Sequence, residues 1–336
     1  MRRMVLFFIV LITAVPAPGR TGPITHDACP GIQATTTLFK QVGPPMGPGD
    51  TLENLGFDGL GYLWISNAAM NRIERYDDQG TLTGFFNVQG PGAITRRADG
   101  LMYANTGDSL GPALLARLGA PGQASVVKFD PAIPISDPTN YATVVASGFK
   151  MANGGIFDAA GNYYLSNDVD YGLTKILPSG SVDTTWTAQA SNIWGTNGLV
   201  VAGATMYAAI TFDQRSPIVR IPLAAPYPAT TLVETTFGVV SLEPKVYAAP
   251  QTTQPLIGLK GLDDMTIGPD GRLWVVANGM GELLRVDLGT GSVCLAAGGL
   301  TNPSSIRFAD TFGPYTGDAF VTEFSGAIRR ISISPA

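Results

Sequence analysis

The stretch Gly261–Thr290, GLDDMTIGPDGRLWVVANGMGELLRVDLGT, is one copy of a unit that recurs along the chain. It opens on an acid, Asp263, runs through an apolar strand (Met265–Ile267), turns at Pro269–Gly271 and continues in a second strand built on Leu273, Trp274 and Val276. A third strand, Leu283–Val286, ends at Asp287 and a Gly-Thr-Gly turn. Short β-branched and aromatic runs bounded by Gly, Asp and Pro are strand and hairpin signals. One such unit cannot bury both of its faces, so it demands companions at a regular period. Fixing the aromatic of the second strand finds them. Trp274 lies eleven residues after Asp263, Trp64 eleven after Glu53, Tyr164 eleven after Asn153, Tyr103 eleven after Gly92 and Tyr207 ten after Asn197. Phe320 closes a sixth copy, in which a longer hairpin loop separates it from Ser304.

Six hairpin-rich copies filling most of the chain predict an all-β fold, a six-bladed β-propeller forming one large domain. The formal net charge of −5, with no block of Lys or Arg, argues against nucleic-acid or anionic-membrane partners. The first residues carry Arg2 and Arg3, an apolar run from Val5 to Val15 and then small residues. This reads as a secretory signal over 1–19, too short to span a bilayer comfortably, with cleavage near Ala14 or Ala17. A polar tail, 20–31, follows, and the propeller occupies 32–336. The expected product is secreted or periplasmic, has no stable membrane span after cleavage and is a monomer. The chain has two cysteines, Cys29 and Cys294, and in an exported protein an even pair argues for a disulfide over two independent buried thiols.

Taken in order, blade one covers roughly Gly49–Val88, blade two Gln89–Ala146, blade three Ser147–Ala190, blade four Ser191–Val240, blade five the opening stretch and blade six Leu300–Ser334. Within blade two, the insertion Gly107–Gly122 spaces Leu110, Leu114, Leu115 and Leu118 as in a short helix. Ser241–Gln254 reads as a Pro-containing connector. Blade six shows only three strands, and the missing fourth is Ile32–Lys40, IQATTTLFK, which closes the ring from the N-terminal side and removes the exposed edges. A Cys29–Cys294 bridge would pin that closure.

The innermost strand of each blade starts at an equivalent position, held by Glu53, Gly92, Asn153, Asn197, Asp263 and Ser304. Strand starts at one end of a propeller converge on its axis. Asn and Asp before a strand are ordinary turn residues, but that explanation does not cover Glu53 at the same phase. Two carboxylates and two amide carbonyls without Cys or His match a hard divalent cation, Ca2+, which takes six to eight oxygen ligands. Zinc is disfavoured for want of nitrogen and sulfur ligands.

Glu53 in LENLGF, Asn153 in MANGGIFDAAG, Asn197 in TNGLVV and Asp263 in LDDMTIGPDGRLW together resemble the SMP-30/gluconolactonase/LRE-like superfamily, whose relatives include the squid-type diisopropylfluorophosphatases. The resemblance covers about Thr51–Ile331. It implies one catalytic divalent metal, commonly calcium, held by Glu53, Asn153, Asn197 and Asp263, and hydrolysis of sugar lactones or other lactones, with organophosphates as a variant. Two departures stand out. Gly usually follows the last metal acid, whereas this chain has Asp264, either a supporting acid or a turn residue, with the turn preferred. The histidine dyad of the paraoxonase branch is impossible, since His26 is the sole histidine and is expected to be a solvated tail residue.

Second-strand exits should line the substrate mouth, at Asn67, Asn167, Asp168, Asn278 and Glu323, although each is singly also a plausible loop solvator. The 107–122 insertion lies on the same face, as a lid or as a surface excursion. The expected function is a metal-dependent hydrolase acting on a small-molecule lactone, with water activated on the metal or by Asp263, Asp264 or Glu323. Its rival is a non-catalytic secreted propeller that binds a ligand or partner protein and keeps a structural ion.

Overall fold

The computed structural model of the chain describes residues 26–42, 51–168, 170–235, 239–246 and 260–336. The signal segment and residues 247–254 of the expected connector lie outside these. The described chain forms six antiparallel sheets, each one blade of the expected propeller. After β1 (Ile32–Gln41), blade one is β2 (Leu52–Phe57), β3 (Leu63–Asn67), β4 (Arg72–Tyr76) and β5 (Leu82–Asn87). Blade two is β6 (Ile94–Arg96), β7 (Met102–Thr106), β8 (Ala124–Phe129) and β9 (Thr143–Phe149), with α1 (Leu110–Arg117) inserted between β7 and β8. Blade three is β10 (Gly155–Phe157), β11 (Tyr163–Leu165) and β12 (Thr174–Ile176), followed by α2 (Thr184–Gln189). Blade four is β13 (Thr196–Ala202), β14 (Thr205–Ile210), β15 (Pro217–Pro222), β16 (Thr230–Glu234) and β17 (Val239–Val246). Blade five is β18 (Leu262–Ile267), β19 (Leu273–Ala277), β20 (Glu282–Val286) and β21 (Val293–Ala297). Blade six is β22 (Pro303–Phe308), β23 (Ala319–Glu323) and β24 (Ala327–Pro335), completed by β1.

The repeat that the sequence displays has a specific cause in the turn between the first two strands. Asp58 accepts Tyr62 N (3.1 Å) through one oxygen and the Trp64 indole N–H (2.9 Å) through the other. Asp158 does the same with Asn162 N (2.9 Å) and the Tyr164 hydroxyl (2.9 Å). Asp270 takes both Arg272 N (3.1 Å) and the Trp274 indole N–H (3.1 Å) on one oxygen. A single carboxylate thus shapes the hairpin and satisfies the one polar atom of a large buried ring, which must not be left unpaired.

Core residues lie between blades, where neighbouring sheets pack face to face. Trp64, Ile73 and Phe86 of blade one meet Ile94, Met102 and Phe129 of blade two. Phe57 of blade one and Phe312 and Phe320 of blade six gather around Phe39 of β1, with ring centroids 5.2–5.7 Å apart. Closure follows the expected route. β1 pairs with β24 from Ile32↔Pro335 to Gln41↔Ala327, and Cys29 is disulfide-bonded to Cys294 in β21.

Two blades depart from the four-strand expectation. Among the described residues, blade three has no outer strand. Asp183 caps α2 by accepting Trp186 N (3.0 Å), Lys175 N donates to Thr187 Oγ1 (3.1 Å), and Trp186 packs edge-on against Tyr164 at 5.0 Å. Blade four gains a fifth strand, because 239–246 pairs with β16 where a connector was expected.

Candidate metal centre

Every inner strand carries a β-bulge at the same place. In blade one, Leu52 pairs with Asn67 and Leu55 with Ile65, so Glu53 and Asn54 together oppose Ser66. Asn197 and Gly198 likewise oppose Ala209, and Asp263 and Asp264 oppose Val276. In blade two, Gly92 N donates to Asn105 O and Asn105 N to Ala93 O; in blade three, Asn153 N donates to Ser166 O and Ser166 N to Gly154 O. The register of β22 and β23 also shifts by one at Ser304. A bulge bends its strand and re-aims a side chain. The first bulge residues are the six positions that the repeat phase singled out.

Inner strands are held to one another by side chains that reach the next blade's backbone. Ser66 Oγ donates to Gly92 O (2.6 Å), Asn105 Nδ2 to Asn153 O (2.9 Å), Thr211 Oγ1 to Leu262 O (2.6 Å), Asn278 Nδ2 to Pro303 O (3.2 Å) and Ser304 Oγ to Leu52 O (2.6 Å). Blades three, four and five approach so closely that a Cβ on Gly154 would stand 2.2 Å from Asn197 O, and one on Gly198 2.6 Å from Asp263 O.

Within this ring the Asn153 amide favours the ionised form of Glu53 and the Asn197 amide that of Asp263. Burial holds the carboxyl of Glu53 well above the usual carboxylate range, and the charges of Asp263, Asp168 and Asp264 add to it. Asp263 is raised in the same way by burial and then by Asp264, Asp168 and Asp108. Asp108 is raised by burial and by Glu53 and Asp168, and accepts Asn153 Nδ2 at 3.3 Å. Burial pushes Asp168 up to about 7. Its Oδ1 is buried with no hydrogen-bond partner.

Two buried carboxyls, Asp168 and Asp263, two half-buried ones, Glu53 and Asp108, two amides beside them and an orphaned carboxylate oxygen form an oxygen-only donor set that fits a divalent cation. Among the described residues, no three His, Cys, Asp or Glu side chains form a preassembled chelate. The set therefore relies on its amides. Asp108 was not legible from the repeat because it leads the insertion after β7 and belongs to no bulge. The signal was there in sequence, as an acid two residues after the exit of β7. Asp168, expected at the mouth, stands within electrostatic reach of the ring.

The other expected residues fall into three groups. Asp264 is not a turn residue. It lies inside β18, 3% exposed, and its Oδ2 receives Ser305 Oγ, Arg307 Nη1 and Asn54 Nδ2. Four donors, counting Met265 N on Oδ1, make it the tie between β2, β18 and β22. Glu323 is likewise tied into the fold. Its oxygens take Thr301 N (2.9 Å), Ser325 Oγ (2.8 Å) and Arg329 Nε (3.1 Å), which anchor the turn into β24. Asn67 closes the turn after β3 by accepting Met70 N (3.0 Å) and donating to Glu74 (3.1 Å). Asn278 donates to Asp263 Oδ2 at 3.4 Å, and Asn167 lines a cleft beside the ring. His26 is half-buried against Thr235 O (3.1 Å), not a solvated tail residue.

No family model matches the chain, and no curated protein matches it. Solved structures do. A candidate gluconolactonase is 12% identical with a TM-score of 0.61, covering 92% of this chain and 95% of that one. The luciferin-regenerating enzyme is 16% identical, TM-score 0.58, over 87% and 95%. The PQQ-bound aldose sugar dehydrogenase of Streptomyces coelicolor is 13% identical, TM-score 0.59, over 91% and 100%. At these identities the likeness shows the architecture alone, and the chain shares the six-bladed propeller fold of these structures.

Proposed function

We propose that this chain is an exported, divalent-cation-dependent hydrolase of lactones. The observation that carries the reading is the mutual electrostatic reach of Glu53, Asp108, Asp168 and Asp263, the last two buried and the first two half-buried, beside two amides and with one carboxylate oxygen left unpaired. Glu53, Asn153, Asn197 and Asp263 would hold the cation, and calcium suits the all-oxygen set. When bound, the cation supplies Lewis acidity that polarises a carbonyl. Asp108 would hold the Asn153 amide in place, accepting its Nδ2 at 3.3 Å. Asn278 fixes Asp263 from the next loop. Asp168 Oδ1 is the acceptor for a proton from the attacking water, since a base works best with a pKa near the working pH. Sugar lactones and lipophilic lactones both present the required ester carbonyl.

Export is supported by the signal-like segment 1–19 and by the Cys29–Cys294 disulfide, which belongs to an oxidising compartment. No helix among the described residues is long and apolar enough to cross a membrane. The test is hydrolysis of glucono-δ-lactone and γ-dodecalactone by metal-stripped protein refilled with calcium, manganese or magnesium. Turnover that returns with the ion and changes between ions supports the reading. An ion that binds and raises the melting temperature without restoring hydrolysis of either compound would establish a ligand-binding propeller with a structural ion.

A further inference from the structure

Among the described residues, blade three is the one blade without an outer strand, and a gap remains beside α2. What remains is a cleft of about 260 Å³ between the end of β9, the exit of β11, the start of β12 and the C-terminal end of α2. Its inner wall is apolar, built from Met151, Leu165 and Leu173, which are buried, together with Phe149. Tyr171 stands at the lip, 44% exposed, with its ring 4.9 Å from that of Trp194. The one charged residue on the rim, Lys150, is paired with Asp170 at 2.7 Å, so the cleft offers no free cation to an anionic ligand.

The cleft adjoins the candidate centre along the chain. Ser166 and Asn167 line it, and the next residue is Asp168. Ser166 is also the residue opposite the blade-three bulge that aims Asn153. Its hydroxyl is already taken by Gly154 N at 2.7 Å, and that of Thr187, deeper along the cleft, by Lys175 N at 3.1 Å. Ser166 and Asn167 therefore stand beside the candidate centre, and the apolar wall of Phe149, Met151, Leu165 and Leu173 continues from them. For scale, an apolar cavity of about 150 Å³ accepts benzene, so this volume suits an alkyl or aryl group of about eight to ten carbons.

We propose that this blade-three cleft is the subsite for the substituent of the substrate, which makes the chain selective for lactones carrying a long apolar side chain over polyhydroxylated sugar lactones. The proposal rests on the hydrolase reading above for its reaction and on the cleft alone for its ligand. Each buried methylene is worth roughly fourfold in affinity, so kcat/KM should climb at least tenfold along a series from γ-butyrolactone to γ-dodecalactone, with glucono-δ-lactone below both. Ser191 is exposed on the cleft edge, and Ser191→Trp should fill the space. That variant should lose about tenfold on γ-dodecalactone and keep the wild-type rate on γ-butyrolactone. Tyr171→Ala, which opens the lip, should also weaken γ-dodecalactone, and it serves if the tryptophan variant misfolds.

Binding is read separately in metal-free protein. γ-Dodecalactone should change tryptophan fluorescence saturably through Trp194, with the signal absent in Trp194→Phe and weakened in Ser191→Trp. Hydrolysis without chain-length preference, a preference for glucono-δ-lactone, or indifference to both cleft variants would overturn the subsite and leave the hydrolase standing. Saturable binding that the cleft variants weaken, with no lactone hydrolysed, would sustain the cleft and overturn the hydrolase. Neither binding nor hydrolysis would overturn both.

Discussion

Removing the cation should make the stability of this protein fall as pH rises, and Asp168 sets the scale. Its carboxyl is lifted by burial from 3.8 to about 7, and one of its oxygens has no partner. The folded-state value is raised, so the protonated form favours the native state. The contribution is fully present below about pH 4 and is lost as pH rises through about 7. A displacement of this size corresponds to ~4 kcal/mol for the single group. Glu53, Asp108 and Asp263 are raised by burial and mutual repulsion and act in the same direction. Urea unfolding in chelator at pH 5, 6.5 and 8 should therefore show the midpoint dropping steadily. Saturating calcium should recover most of the loss at pH 8 and little at pH 5, because binding to the native state alone adds stability by mass action. Asp168→Asn should flatten the pH dependence and be more stable than the wild type at pH 8 without ion. A chelated wild type equally stable at pH 5 and 8, or an Asp168→Asn protein less stable at pH 8, would refute the placement of these acids.

Glu53→Gln and Asp263→Asn should each weaken calcium binding at least tenfold by titration calorimetry and reduce hydrolysis in parallel, since each removes one of the two ligand charges. Asp264→Asn should instead cost roughly 2 to 3 kcal/mol in urea unfolding, because it leaves the partly buried Arg307 without its counter-charge. Gly198→Ala should lower stability by about 2 kcal/mol or more, since the added methyl meets backbone atoms of Asp263 and Asp264 that cannot move independently. Cys29→Ser should cost about 2 to 5 kcal/mol and make the loss insensitive to reductant.

The fold was legible because its repeat is written twice, once in hydrophobic alternation and once in the turn acids that hold Trp64, Tyr164 and Trp274. The ring positions were legible for the same reason, as one phase of that repeat. The bulges that aim them were not, because a bulge is a mismatch between two strands and leaves no mark in either one. Asp264 looked like a turn residue for want of its partners: Ser305 and Arg307 lie more than forty residues away along the chain, and Asn54 lies in blade one. Glu323 looked available for chemistry as an acid at a strand exit, because nothing in the sequence pairs it with Thr301, Ser325 and Arg329. Blade three escaped because a helix there does the edge-covering that a strand does elsewhere.

The latch at the ring closure also fixes how tension would travel through the molecule. Any tether attached upstream of residue 26 reaches Cys29 before it reaches β1, and the covalent bond to Cys294 diverts the load into β21 of blade five. The segment before the bond also lies against that strand, with Leu295 N bonded to Asp27 O and Cys29 N to Leu295 O. Without the bond, the same pull would act on Ile32↔Pro335 at the end of an antiparallel ladder and peel the residue pairs apart one by one. A propeller anchored by its leading end would thus keep its ring shut under a force that would otherwise unzip it.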